Sequence, residues 1–297
     1  MLTDLNDYSI GIEDVLKEHF DEENIVYWMA FQILMGNVDT QNRNVYLYSP
    51  LNSDIWYFIA WDNDGCLMRP EYELRNFSDQ NSWEKGISNY WGNILFQRCL
   101  KSRSFREKLN DAILDLREYL NKDMLTSKIE SYKNVLKPYL YLMPDAEYEP
   151  LTSEQYDQIA ASLPDEIEKN YQLYLESLET PMPFYIGVPT IDGDKLKFNW
   201  DVSYDLDAED ITYSVEVAGD YLFRDVIYQN TTLTVPEAEM DLPKAGQYFV
   251  RVRATNTSGK TQDAFDYYVT DEGKYYGMRC FYITEDSTVE EDDYEEG

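Results

Sequence analysis

The sequence predicts a multidomain protein: a mainly helical part with one β-hairpin over residues 1–178, and an all-β sandwich over residues 179–284. Three observations predict it. The chain has 297 residues, and at roughly 100–200 residues per domain that is about two domains. The hydrophobic period is helical as far as Thr180 and two residues beyond it. Pro181, Pro183 and Pro189 mark the change as a linker running into a strand. With 43% hydrophobic and 15% aromatic residues, most of the chain can build cores, which excludes intrinsic disorder as its general state.

In chain order, Ile12–Phe20 and Glu23–Gly36 carry apolar residues at helical spacing. In the second segment Ile25, Trp28, Met29, Gln32 and Ile33 fall on successive turns. Its surface is apolar nearly all round, so this helix is expected to be buried. Gly36 fits the stop position. Val45–Tyr48 and Ile55–Trp61 are rich in β-branched and aromatic residues, with turn chemistry between them, and predict a hairpin. From Trp83 the helical period returns, with a break near Lys101–Ser104 and Ser104 expected as the cap. Pro138 is expected to kink or end a helix. Ser153–Glu179 supplies the last one or two helices.

Beyond the linker, the segments 194–200, 211–218, 221–228, 231–235, 247–254 and 263–269 alternate with period two, and turn residues separate them. Leu196, Phe198 and Trp200 alternate with Lys195, Lys197 and Asn199, so one face is buried. This is the spacing of a β-sandwich. Residues 285–297 hold eight acids and read as a solvated, disordered acidic tail.

Composition excludes several functions. Lys plus Arg is 25 and Asp plus Glu is 57, a net charge of −32. Such a surface repels phosphate backbones and anionic lipid, so no nucleic acid partner is expected. No run approaches 18 apolar residues, so no membrane insertion is expected. The N-terminus lacks the basic and apolar halves of a signal peptide. Cys66, Cys99 and Cys280 are too scattered for a disulfide framework or a zinc site. His19 is the one histidine and sits in an ordinary amphipathic helix pattern, which excludes Ser-His-Asp hydrolysis and multi-His metal centres.

Chemistry concentrates between Asn37 and Gly65. Asp39 and Asn44 lie in the loop after the buried helix, and the hairpin ends in Asp62-Asn63-Asp64-Gly65. Phosphoryl transfer needs such a set. One carboxylate orients the attacking hydroxyl and takes its proton, while an amide oxygen and a second carboxylate hold Mg²⁺ against nucleotide phosphates. Antiparallel pairing of the hairpin is expected to bring Asp62 back beside Asn44. Turn and cap roles for Asp39 and Asn44 remain open at this point, as does a plain tight turn at Asp64-Gly65. A calcium loop lacks its terminal Glu. The 27 tyrosines include none spaced to show a carbohydrate cleft.

The order of these residues is that of protein kinases, without their usual HRD, DFG and APE sequences. It resembles the CotH family of spore-coat protein H-like atypical kinases. The shared pattern is N-x-D-x-x-x-x-N-x-Y-L-Y (Asn37, Asp39, Asn44, Tyr46, Leu47, Tyr48), then Trp56, Phe58, Ile59, Trp61, Asp62 and Asp64. Leu95, Phe96, Arg98, Leu100, Phe105, Arg106 and Lys108 follow. The resemblance spans residues 10–145 and implies a large lobe of the kinase fold. By position Asp39 is the catalytic Asp, Asn44 and Asp62 are Mg²⁺ (or Mn²⁺) ligands, and Asp64 is a further metal ligand. The implied activity is transfer of phosphate from ATP to Ser or Thr of proteins. A family member carries a β-rich small lobe with the ATP-clamping Lys. About 24 residues precede the buried helix here, so the expectation is a large lobe inactive or incomplete alone, whose partners include its own missing N-lobe.

Residues 179–284 resemble a fibronectin type III module of the immunoglobulin-like class. Trp200 matches its core tryptophan, Gly246–Gly259 its F strand and following turn, and Tyr248 its tyrosine corner. No RGD occurs. A module of this kind beside such a lobe implies a secreted or cell-surface bacterial protein, with a cytoplasmic location as the alternative. The second functional expectation is a non-catalytic surface binding or scaffold protein that uses the sandwich to hold a protein partner.

Overall fold

The computed structural model describes residues 1–41, 43–67, 83–149, 151–271 and 273–291. They form two compact units: Met1–Met68 with Asn93–Leu175, and Arg69–Gly92 with Glu176–Gly297. Among the described residues no helix is long and apolar enough to cross a membrane.

The first unit is helical with one small sheet. Its elements are α1 (Leu2–Asn6), α2 (Ile12–His19), α3 (Glu22–Met35), β1 (Tyr46–Tyr48), β2 (Tyr57–Ile59), α4 (Ile94–Lys101), α5 (Arg103–Tyr119), α6 (Lys122–Leu140), α7 (Ser153–Ser162) and α8 (Glu166–Glu179), whose last turn belongs to the second unit. Helix α3 is the centre. Asp21 caps it by accepting the Asn24 N–H at 2.9 Å. Ile25, Val26, Trp28, Met29, Ala30, Ile33 and Leu34 are all buried, as a helix apolar on most sides requires. It stops at Gly36, whose φ of 63° only glycine adopts cheaply. A Cβ at Gly36 would meet the Asn170 amide at 2.7 Å, because Asn170 on α8 donates to the Leu34 carbonyl at the end of α3.

Three local expectations change. Helix α4 begins at Ile94 rather than near Trp83, and residues 88–90 form a single 3₁₀ turn. The α4–α5 break is capped by Ser102, which accepts the Phe105 N–H at 3.2 Å. Ser104 is already inside α5, and its hydroxyl turns to Glu13. Helix α6 runs through Pro138 and ends two residues later at Leu140.

The second unit is a two-layer β structure. It contains β3 (Thr190–Asp192), β4 (Lys195–Asn199), β5 (Ile211–Ala218), β6 (Val226–Leu233), β7 (Glu237–Asp241), β8 (Gly246–Asn256), β9 (Thr261–Asp263), β10 (Tyr267–Thr270), β11 (Gly273–Tyr276), β12 (Met278–Ile283) and β13 (Val289–Glu291). One sheet has the order β3-β4-β7, a larger one has β13-β12-β8-β5-β6 with β9 also paired to β8, and β10 and β11 pair with each other in a third. Leu196, Phe198 and Trp200 from the first face Val215, Val217, Val250, Val252 and Phe281 from the second in one core. The Trp200 ring meets Tyr213 edge to face at 5.5 Å. The expected separate strands at 221–228 and 231–235 are one strand, β6. Residues 285–291 of the acidic end are not disordered as expected: β13 pairs with β12, Phe281 opposite Glu291. Backbone pairing there outweighs like-charge repulsion. Residues 292–297 lie outside the described residues.

The Tyr248 hydroxyl donates to the Lys244 carbonyl at 2.9 Å, closing the turn before β8. Tyr248→Phe removes that bond and little else. We expect a loss of about 1 kcal/mol, read as a lower midpoint in urea with unchanged slope; an unchanged midpoint would show the bond to be dispensable.

Candidate functional site

Helix α3 and the hairpin place the Asn37–Gly65 region. After Gly36 the chain makes one 3₁₀ turn, Val38–Thr40, which carries Asp39 on the exposed side. Strands β1 and β2 pair with Tyr46 opposite Ile59 and Leu47 opposite Phe58. The pairing ends there, so Asn44 and Asp62 both lie beyond the paired residues. The hairpin is shorter than its apolar runs because Trp56 is drawn away from it. The Trp56 N–H bonds the His19 carbonyl at 2.8 Å, and its carbonyl takes the Asp21 N–H at 3.2 Å.

Two side chains that the sequence analysis did not single out fasten the hairpin and its turn. Asn24 on α3 accepts the Phe58 N–H at 2.6 Å and donates to the Phe58 carbonyl at 3.1 Å, acting as a strand partner made of one amide. Gln32, fully buried, donates to Asn63 at 3.2 Å and accepts from Asn37 at 3.1 Å. The Leu67 N–H then bonds the Met35 carbonyl at 2.7 Å. For Gln32 the available signal was a polar residue inside an otherwise apolar stretch of helix; Asn24, in the polar first turn, gave none.

These fastenings bring the acidic positions together. A Cβ placed on Gly65 would stand 3.2 Å from the Asn37 side-chain oxygen and 3.4 Å from an Asp39 carboxylate oxygen. The turn 62–65 therefore lies directly against the Asp39 loop. The Asp62 carboxyl is raised above its ordinary value, first by the charge of Asp64, then by partial desolvation, a hydrogen bond with Asp64, and the charge of Asp39. Asp39, Asp62 and Asp64 are exposed, and Asn44 is half-buried. Asn44 and Asp62 both hold left-handed backbone, φ 52° and 51°. Asn and Asp tolerate that region better than other side chains, and such strain gathers at functional sites. Tyr46 and Trp61 pack with their rings tilted at 47° and centroids 4.9 Å apart, while each stays about half exposed, at 50% and 52%.

The donor set fits a hard divalent cation in its chemistry: carboxylates whose mutual repulsion a cation relieves, plus a nearby amide oxygen. Among the described residues no three His, Cys, Asp or Glu side chains already stand as a ready-made metal group. The other titratable candidates have structural surroundings. The His19 ring bonds Asp4 at 2.7 Å. Cys66 is half-buried and its thiol is pushed up to about 11 by burial and then by Asp64, so it is a poor nucleophile at neutral pH. Cys99 is fully buried, which also raises its thiol.

A buried helix handing over to a strained Asp-bearing loop, and a hairpin returning to a second acidic turn, define a helical domain built around an exposed oxygen-rich site. The family model described as CotH kinase protein matches residues 1–174. The chain belongs to the CotH kinase protein family. No curated protein matches it. Among solved structures, the one titled structure of surface layer protein SbsC, domains 1-6, aligns over 92% of this chain and 38% of its own, at 14% identity and a TM-score of 0.17. This chain thus spans well under half of that protein's length.

Proposed function

We propose that residues 1–174 act as an atypical protein-kinase-like lobe that transfers phosphate from ATP to Ser or Thr of a protein. The observation that supports it is the acidic turn 62–65 lying against the Asp39 loop, with a Cβ on Gly65 only 3.4 Å from an Asp39 carboxylate oxygen. On this reading Asp39 accepts a hydrogen bond from the acceptor hydroxyl and takes its proton as the hydroxyl oxygen bonds the γ-phosphorus and the bond to the β,γ-bridging oxygen breaks, releasing ADP. Asn44, Asp62 and Asp64 hold Mg²⁺ or Mn²⁺. When bound, the ion supplies neutralisation of phosphate charge. The half-exposed Tyr46 and Trp61 face is the surface on which the fold's small lobe and its clamping Lys would sit.

The β unit, on the same proposal, is a fibronectin type III-like module. Its sheet orders, the buried Trp200 and the Tyr248 bond support this. It serves a protein partner at a bacterial cell or spore surface. A non-catalytic scaffold role remains the alternative reading, and the same experiment separates the two.

That experiment is thermal unfolding with Mg²⁺·ATP or Mn²⁺·ATP. A ligand at 100 times its Kd stabilises by about 2.7 kcal/mol. The parent is expected to shift upward and Asp62→Ala is not, because the variant loses a ligand while its exposed position spares the core. Equal shifts for parent and variant, or none for the parent, would remove the phosphotransferase reading.

A further inference from the structure

Helix α6 is amphipathic with its faces reversed. Lys133 and Lys137, at 17% and 23% exposure, turn to Asp157 on α7, at 3.9 Å and 2.6 Å. Just past the end of α6, Tyr141 meets Tyr156 of α7 edge to face at 6.3 Å, and its hydroxyl donates to the Leu151 carbonyl at 3.0 Å. Of the residues of α6, Leu125 alone is buried. The opposite face carries Tyr132, Val135, Leu136, Tyr139, Leu142 and Met143, whose exposures run from 53% to 69%. A helix with water on its outer side turns lysines out and its apolar stripe in; α6 does the opposite. Tyr132, Val135, Tyr139 and Leu142 follow one another by three, four and three residues, the step of a seam between two helices.

Area and charge say what covers the stripe. Six side chains of this size, each more than half exposed, offer about 600–900 Å². That exceeds the largest apolar patch of a typical monomer, about 300–600 Å², and matches the roughly 800 Å² per partner of a standard interface. The chain carries a net charge of −32, yet α6 has four lysines against Asp123 and Glu130. Lys128 at the head of the stripe is exposed, as are Asp145 and Glu147 past its foot. A stripe basic at one end and acidic at the other complements itself when turned end for end. Run in parallel, it would set lysine on lysine and acid on acid. The geometry points to an antiparallel homodimer, in which the α6 stripe packs on the α6 stripe of a second copy about a twofold axis at Val135. That axis sets Tyr132 against Tyr139 of the other copy, and Lys128 against its turn 142–147. Such an interface is isologous and closes at two copies. It requires nothing of the acidic turn 62–65 or of phosphoryl transfer.

Sedimentation velocity of the full chain, from about 1 to about 100 µM, tests this. The parent is expected to reach twice the 35.1 kDa of one chain. Val135→Lys sets two ammonium groups face to face on the axis and is expected to weaken association about 100-fold or more. Its exposed position spares the fold. Should far-UV circular dichroism nonetheless show lost helix, Tyr139→Ser replaces it under the same criteria. Lys128→Glu is expected to weaken association about tenfold, and Lys128→Glu combined with Asp145→Lys to return to within about threefold of the parent. That return is what an antiparallel register requires. A parent that stays a single chain at about 100 µM overturns the inference. So does a dimer that Val135→Lys leaves intact, which would place the contact elsewhere, and so does a charge exchange that restores nothing.

Discussion

Residues 1–178 produced without the β unit are expected to be recovered as aggregate that binds ANS, not as soluble protein. The reason is a strap, residues 83–92, that belongs to the β unit. Trp83, Ile87, Tyr90 and Trp91 are all buried, and Phe265, Tyr276, Lys274 and Tyr204, which hold the strap, lie beyond residue 178. Burying each such side chain stabilises by about 1.5–3 kcal/mol, or roughly 6–12 kcal/mol for four, the same scale as the whole stability of a domain. Released, they put four large apolar side chains within residues 83–91 into solvent, a concentration that soluble monomers rarely expose. Glu84 would also lose its buried cation. Size-exclusion chromatography and ANS fluorescence of the 1–178 protein, against the full chain, check this. Replacing Trp83 and Trp91 with Ser in the short protein is expected to recover part of it in soluble form. A monodisperse 1–178 with no ANS signal would mean that the strap does not depend on the β unit.

That cut is where hydrophobic period alone would make it, and the reason it misleads is physical. Period reports which face of an element is buried, not what buries it. Trp83, Ile87, Tyr90 and Trp91 have helix-like spacing, yet they line a segment with one 3₁₀ turn that packs on strands far along the chain. Features set by neighbours in sequence were legible: the stop at Gly36, the hairpin, the alternation around Trp200 and the Tyr248 bond. Features set by distant pairs were not. Asn24 serving Phe58 and Gln32 serving Asn63 join positions 34 and 31 residues apart. Strand β7 was missed because its outward residues are acidic, leaving Ala238 and Met240 as its whole apolar signal. The candidate site shows both cases. Residue types and order named Asp39, Asn44, Asp62 and Asp64; the structure adds that Gly65 abuts Asp39 and that Asn44 and Asp62 sit in left-handed backbone.

Arg98→Met is expected to cost about 3 kcal/mol or more, since it leaves several carbonyls without their donor at about 1–3 kcal/mol for each one buried, and to free the N-terminal segment. Arg98 on α4 is buried, at 6% exposure. Its guanidinium donates to the carbonyls of Asp4 at 3.3 Å, Leu5 at 2.5 Å and Asp7 at 3.4 Å, and to that of Ile10. It also lies 5.1 Å over the Tyr8 ring. These acceptors include the Leu5 carbonyl at the end of α1, where helix carbonyls lack an intrahelical donor, and the Asp4 carbonyl, which also takes the Asp7 N–H. Lys is expected to restore less than half, since one ammonium cannot spread donors over four carbonyls as a planar fork does. The damage should reach further than residues 1–11. Asp4 holds the His19 ring, the His19 carbonyl holds the Trp56 N–H, and Trp56 immediately precedes β2, the strand that leads to the turn at Asp62. Thermal unfolding gives the cost, at roughly 2–4 °C per kcal/mol for a protein of this size, and limited proteolysis gives the site of loosening. Arg98→Lys within about 0.5 kcal/mol of the parent would show that charge alone suffices. Cleavage confined to residues 1–11, with residues 56–62 as protected as before, would show that the path from α4 to the acidic turn carries no load.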